Sequence, residues 1–96
     1  MTTEWAMAQW SQRKAQVLAR LKRAEGQVRA VSAMVEREEE CERIAQQLAA
    51  VRKALDRAFY DMMACATQRE LEAAGAADAK VVRKLDQLSE LLTRYG

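Results

Sequence analysis

The amino-acid sequence predicts an all-α fold of three helices, two long and one short, that completes its core by self-association. Three observations carry this expectation. The chain of 96 residues has no proline and only three glycines, while half its residues are apolar, so little interrupts a helix over long stretches. Apolar residues recur at spacings of three, four and seven, the stripe of an amphipathic helix. Helices of about 35, 30 and 17 residues are too long to wrap a compact core in one chain, and a bundle of several copies buries their faces instead.

The first helix is expected from about Thr3 to about Arg37, with Leu18, Leu21, Val28, Val31 and Val35 as its stripe. Gly26 lies inside it at a cost of about 1 kcal/mol relative to alanine, which points either to close packing or to a local bend. Trp5 and Trp10 either pack on a neighbouring subunit or sit at a partly exposed helix end. The acidic run "EREEE", residues 36–40, interrupts the stripe. Carboxylates suit the first turn of a helix, so a second helix begins near Cys41. Its stripe is Ile44, Leu48, Val51, Leu55, Phe59 and Met62, continuing through Ala66 and Glu70, for about 30 residues or roughly 45 Å. "AAGAAD" around Gly75 is the clearest break, with Asp78 as N-cap of a third helix. Val81, Val82, Leu85, Leu88, Leu91 and Leu92 mark that helix, which ends at Gly96. Without repeats or low-complexity linkers, residues 1–96 read as a single helical domain.

Composition narrows function. The chain has no histidine, and so lacks the commonest general base and metal ligand. It also carries no phosphate loop, catalytic triad or paired-cysteine metal motif, so an enzyme is not expected. No apolar run approaches the roughly 20 residues of a membrane span, and the N-terminus lacks a secretion pattern; a cytoplasmic protein without membrane contact is expected. The formal charge of +2 is too small to argue for nucleic acid, but its distribution is uneven. Arg13, Lys14, Arg20, Lys22 and Arg23 cluster in the first helix, and Arg52, Lys53 and Arg57 in the second. Such residues anchor DNA phosphates or form a solvated face balanced by neighbours such as Glu25 and Asp56.

The two cysteines, Cys41 and Cys65, lie about 36 Å apart if one straight helix carries both, whereas a disulfide needs α-carbons within about 7 Å. At about 100° per residue, Cys41, Ala66 and Glu70 fall within about 40° of one another at the edge of the apolar stripe, with Cys65 about 100° from Ala66. Two copies packed antiparallel and crossing near Leu55 bring Cys41 of one level with positions 66–70 of the other, in two equivalent pockets. Periodicity equally allows Cys41 to be a small buried residue and Glu70 a solvated charge.

Two segments carry a resemblance. "RLKRAEGQVRAV", followed fifteen residues after Gly26 by the cysteine of "ECERIAQQLAAVRKAL", resembles the copper, nickel-cobalt and formaldehyde responsive repressors of the CsoR/RcnR/FrmR family, over roughly residues 13–96. The resemblance implies an antiparallel dimeric four-helix bundle, pairing into a disc-like homotetramer. Such an assembly binds operator DNA through basic helix faces, without a helix-turn-helix, and releases it when an effector binds. It implies DNA contacts at Arg20, Lys22, Arg23 and Arg57, with Arg52 in addition.

The family's sensing cysteine falls on Cys41, and its ligand pair in the partner chain falls on positions 66 and 70. Copper sensors carry histidine and cysteine there, formaldehyde sensors histidine and glutamate; this chain has Ala66 and Glu70. Glu40 and "QQLAAVR" lean towards the formaldehyde branch. Any metal would have only Cys41 and Glu70, short of the usual four ligands, so no cofactor is expected and thiol chemistry is. Formaldehyde sensors of the family cross-link the sensing thiol to the partner's N-terminal amine, which here is Thr2 once Met1 is removed. Persulfide sensors bridge two cysteines, which brings in Cys65. The effector-sensing set implied is therefore Cys41, Glu70, Thr2 and Cys65. Alternatives are a persulfide or transition-metal (Cu, Ni/Co, Zn) responsive repressor, or a helical scaffold that has lost sensing.

Overall fold

A computed structural model describes residues 3–76 and 78–95, with side-chain environments from Trp10 onward. The three expected helices are present: α1 (Thr3–Glu36), α2 (Cys41–Ala73) and α3 (Ala79–Tyr95), with no strand among the described residues. The all-α architecture matches the expectation, with α2 at 33 residues against about 30 expected; the expected end of α3 at Gly96 lies outside the described residues.

The acidic run and the glutamate that follows it, Glu42, divide three tasks between them. Glu36 closes α1, residues 37–40 form the turn, and Glu42 occupies the first turn of α2, where its charge meets the positive helix end. In the turn, Glu38 takes a left-handed conformation with φ 57. The Glu38 amide donates to the Val35 carbonyl at 3.0 Å and the Glu39 amide to that of Met34 at 3.1 Å. This pairing is a Schellman C-cap, which satisfies carbonyls that the helix end would leave unpaired. Here a glutamate stands where glycine is usual. Glu39 accepts from Arg37 at 2.6 Å and pairs with Arg43 at 3.1 Å. The Arg37 hydrogen bond, and then the charges of Arg37 and Arg43, hold its carboxyl below the ordinary value against partial desolvation.

The second connection uses the same device with the expected residue. Gly75 has φ 72, its amide donates to the Glu72 carbonyl at 3.0 Å, and the Ala76 amide to that of Leu71 at 2.8 Å. Asp78 then caps α3, its Oδ1 accepting from the Val81 amide at 2.9 Å, as the sequence predicts.

α1 and α2 fold back as an antiparallel hairpin whose inner seam repeats every seven residues. Val17, Ala24 and Val31 supply it from α1, and Val51, Ala58 and Cys65 from α2. The period is that of a coiled coil, and the alanines in mid-seam let the backbones approach. α3 returns along α2, burying Val82 and, seven residues on, Ser89. α2 is thus packed on two sides, by α1 and by α3. Gly26 is not explained by crowding: α1 continues through it, and a Cβ there would meet nothing within 4 Å.

The chain is a blade of 54 × 24 × 15 Å with a radius of gyration of 17.0 Å, against about 12.5 Å for a compact domain of this length. Its accessible surface of 7176 Å² exceeds by roughly a quarter that expected of a compact monomer of its mass. The excess is apolar and sits where the sequence places its stripes. Leu48, Leu55, Phe59 and Met62 of α2, Leu18, Leu21, Val28 and Val35 of α1, and Leu88, Leu91 and Leu92 of α3 are all exposed. Of the predicted α2 stripe only Val51 is buried and Ile44 half-buried. The large apolar residues therefore face away from the hairpin, and the seam is built from smaller ones.

Candidate functional site

α2 positions every residue of the thiol region, because it runs unbroken from Cys41 to Ala73. Cys41 is its first residue, preceded by Glu40 as an N-cap that makes no side-chain capping bond. Cys41 is exposed and unbonded. Ala66 and Glu70 are exposed at the other end of the helix, so the unbroken helix keeps both about 36 Å or more from Cys41 of the same chain. Only a second chain running the opposite way brings such positions level. Cys65 differs from Cys41 in kind: at 7% exposure it lies within the seam between α1 and α2. Thr2, the fourth residue of the predicted sensing set, lies outside the described residues, as does the side chain of Trp5. Trp10 lies half-buried beside the far end of α2, with the Arg69 guanidinium 4.9 Å from its ring centre, a cation–π contact that ties the start of α1 to the turn bearing Glu70. No group of three or more cysteine and carboxylate side chains that would hold a metal ion occurs within the chain among the described residues.

The basic residues divide into two kinds. Lys22, Arg23 and Arg52 are exposed on the outer surfaces of α1 and α2. Arg20 and Arg57 instead turn inward onto one carboxylate, Asp61. Arg20 donates through Nε to Asp61 Oδ2 at 3.0 Å, and Arg57 places its Nε 3.9 Å from Asp61 Oδ1. The Ser89 hydroxyl donates to Oδ1 at 3.1 Å, and Arg13 donates to the Asp61 backbone carbonyl at 3.2 Å and to Asp86 at 2.6 Å. Arg57 also pairs through Nη2 with Glu90. Asp61 is 7% exposed, and a carboxylate this buried is retained only where partners offset its desolvation. The cluster joins all three helices around an open cavity of about 350 Å³ that Arg83 also lines.

Sequence reasoning identified Arg20 and Arg57 but not Asp61, Ser89 or Asp86. The hydrogen-bond partners of Asp61 lie 41, 48 and 28 residues away in the chain, beyond any local pattern, while Arg57 stands four residues before it on the same helix. One signal was available: Asp61 is an acid placed three residues from Ala58 and four from Cys65, at the spacing of the seam itself.

The family model described as metal-sensitive transcriptional repressor matches residues 13–94, which takes in the hairpin seam, the Asp61 cluster and both thiols. The chain belongs to this family. The resemblance read from "RLKRAEGQVRAV" and "ECERIAQQLAAVRKAL" is thereby borne out at family level, and with it the expectation of a transcriptional repressor and not an enzyme. Neither the curated proteins nor the solved structures compared with the chain gave a match. For a repressor of this family the absence of histidine is unexpected chemistry. A transition-metal site built from Cys41 and Glu70 would hold one thiolate and one carboxylate, and Ala66 offers no donor atom. These donors do not fit the usual four-ligand demand of such ions.

Proposed function

We propose that the protein is an operator-binding repressor that acts as a homodimer pairing into a homotetramer, and that it releases DNA when Cys41 is modified by formaldehyde or a related thiol-reactive effector. The observation carrying this reading is the exposure of Cys41 on a helix whose outer apolar side is unpartnered in the single chain. An antiparallel pairing of α2 across Leu55 covers that side and sets Cys41 opposite Ala66 and Glu70 of a second chain. In that arrangement the Cys41 thiol adds to the aldehyde carbon, its proton passing to the new hydroxyl, and the Thr2 amine displaces that hydroxyl as water to leave a methylene bridge. Glu70 relays a proton from the attacking amine to the departing hydroxyl, which leaves as water. Residues 1–96 act as one helical unit, in the cytoplasm, with Arg20, Lys22, Arg23, Arg52 and Arg57 as phosphate contacts.

A persulfide reading is less favoured because Cys65 is buried in the seam of its own chain, away from the exposed side that carries Cys41. The metal reading lacks donors.

Two measurements test the proposal together. Intact mass after separate exposure to formaldehyde, an organic persulfide and Cu(I) is read alongside release of upstream DNA at about 150 mM salt, where nonspecific binding is weak. A gain of one carbon on formaldehyde, with loss of DNA binding, is expected. Cys41→Ala is expected to keep its DNA affinity and lose the response. A normal response in Cys41→Ala removes Cys41 from the mechanism, and the absence of any selective shift favours a scaffold without sensing.

A further inference from the structure

We infer that Asp61 is a positioning residue for DNA binding: one buried carboxylate that holds the Arg20 guanidinium by a hydrogen bond and the Arg57 guanidinium as an ion pair, from two different helices, at the rim of one open cavity. The inference rests on the proposed role of Arg20 and Arg57 as phosphate contacts, and it deepens that role.

The geometry is specific at the level of single atoms. Arg20 meets Asp61 through Nε, at 3.0 Å, which leaves both of its terminal nitrogens unused by Asp61. Arg57 presents the same inner edge, with Nε 3.9 Å from the other carboxylate oxygen. That Nε is buried without a hydrogen-bond partner, so Asp61 meets it as a charge and not as an acceptor, and Glu90 of α3 engages Nη2 of the same guanidinium, which a phosphate displaces on binding. Both arginine side chains remain partly exposed, at 29% and 25%. Both line the open cavity, Arg20 with its guanidinium fixed by the Nε bond and Arg57 with its guanidinium held between Asp61 and Glu90. A guanidinium binds phosphate through parallel N–H groups, and fixing its stem beforehand removes rotamer freedom that would otherwise be lost on binding. Arg13 has no such capacity: it is 8% exposed and its terminal nitrogens are committed to the Asp61 carbonyl and to Asp86. Its role is to hold the Asp61 segment of α2 against α1 and α3. Ser89 secures Oδ1 from α3, which fixes the carboxylate plane on which both arginines depend.

The sign of the effect separates positioning from simple charge. Removing a carboxylate from a DNA-binding surface strengthens DNA binding if only net charge matters. If Asp61 positions the two arginines, its removal weakens binding. The experiment compares the full chain with Asp61→Asn, Ser89→Ala, the Arg20→Ala/Arg57→Ala pair, and Asp61→Asn in that paired background. Anisotropy of a labelled mixed-sequence duplex is followed across salt, with helicity and assembly size checked by circular dichroism and light scattering. Asp61→Asn is expected to bind about tenfold more weakly near 0.1 M salt and to lose about 0.9 from the salt slope for each phosphate contact given up. Ser89→Ala, which leaves charge unchanged, is expected to move both quantities in the same direction by less. In the paired arginine background Asp61→Asn is expected to cause no further loss.

A variant that is merely less stable keeps the slope of its folded fraction, so an unchanged slope in Asp61→Asn overturns the inference, as does tighter binding. Should Asp61→Asn fail to fold, an unchanged slope in Ser89→Ala overturns it. If the paired arginine variant binds as the parent does, the phosphate role of Arg20 and Arg57 fails and this inference with it. If that variant binds more weakly while Asp61→Asn does not, the phosphate role stands and only the role of Asp61 falls.

Discussion

The inner and outer sides of α2 differ in a way that inverts the usual expectation for a helix in a small protein. The inner side, built from Val51, Ala58 and Cys65 with Asp61 among them, is buried although its residues are small or charged. The outer side, built from Leu48, Leu55, Phe59 and Met62, holds the larger apolar groups and is exposed, Phe59 to 57%. Burial of a leucine or phenylalanine side chain contributes about 1.5–3 kcal/mol, so the side with more to gain from burial is the one a single chain leaves uncovered. The difference teaches that the single hairpin closes on its smaller residues and leaves its larger apolar ones uncovered; in the proposed assembly these are the contacts between copies.

The sharpest way to break this comparison is to place a charge on the outer side. Leu55→Glu is expected to abolish assembly, because burying an unpaired carboxylate against its symmetry mate costs several kcal/mol. Light scattering then reports a single-chain mass; an unchanged mass shows that this side is not an interface. The inner side fails differently. Ala58→Leu forces added bulk into the seam and is expected to cost about 1–3 kcal/mol in urea unfolding, and assembly size in the absence of urea stays that of the parent. If this substitution proved neutral, the close approach of α1 and α2 would not depend on small residues. The smallest effect lies at the end of the hairpin. Glu38→Gly relieves a left-handed residue of its Cβ and is expected to stabilise by about 0.5 kcal/mol after the added freedom of the unfolded chain is subtracted. Destabilisation by the same change would mean that the Glu38 side chain contributes more than its backbone strain costs.

The number, order and approximate ends of the helices were legible because periodicity, the Gly75 break and the Asp78 cap are all local signals. The orientation of the helices about their axes was not. Large apolar side chains dominate any reading of a stripe, whereas Ala24 and Ala58 in the true seam carry little hydrophobic signal. Glu38 hid a left-handed C-cap because that position is ordinarily read from glycine. At the candidate site, Cys41, Ala66 and Glu70 stood out through a family pattern, and Arg20 and Arg57 through their charge. Asp61 was harder to read: its place at the seam spacing is a local signal, but the partners that let an acid stay buried there, Arg20, Arg13 and Ser89, are brought by folding from α1 and α3.

The burial of Cys65 gives the molecule an internal clock. Its thiol is sealed until α1 lifts from α2, while Cys41 of the same chain is open to reagents in the folded single chain. When opening is rapid and reversible, the rate at which an alkylating reagent reaches Cys65, taken relative to Cys41, reports how often the hairpin separates. The pair of cysteines thus records, in one molecule and without any added label, both access from outside and breathing within.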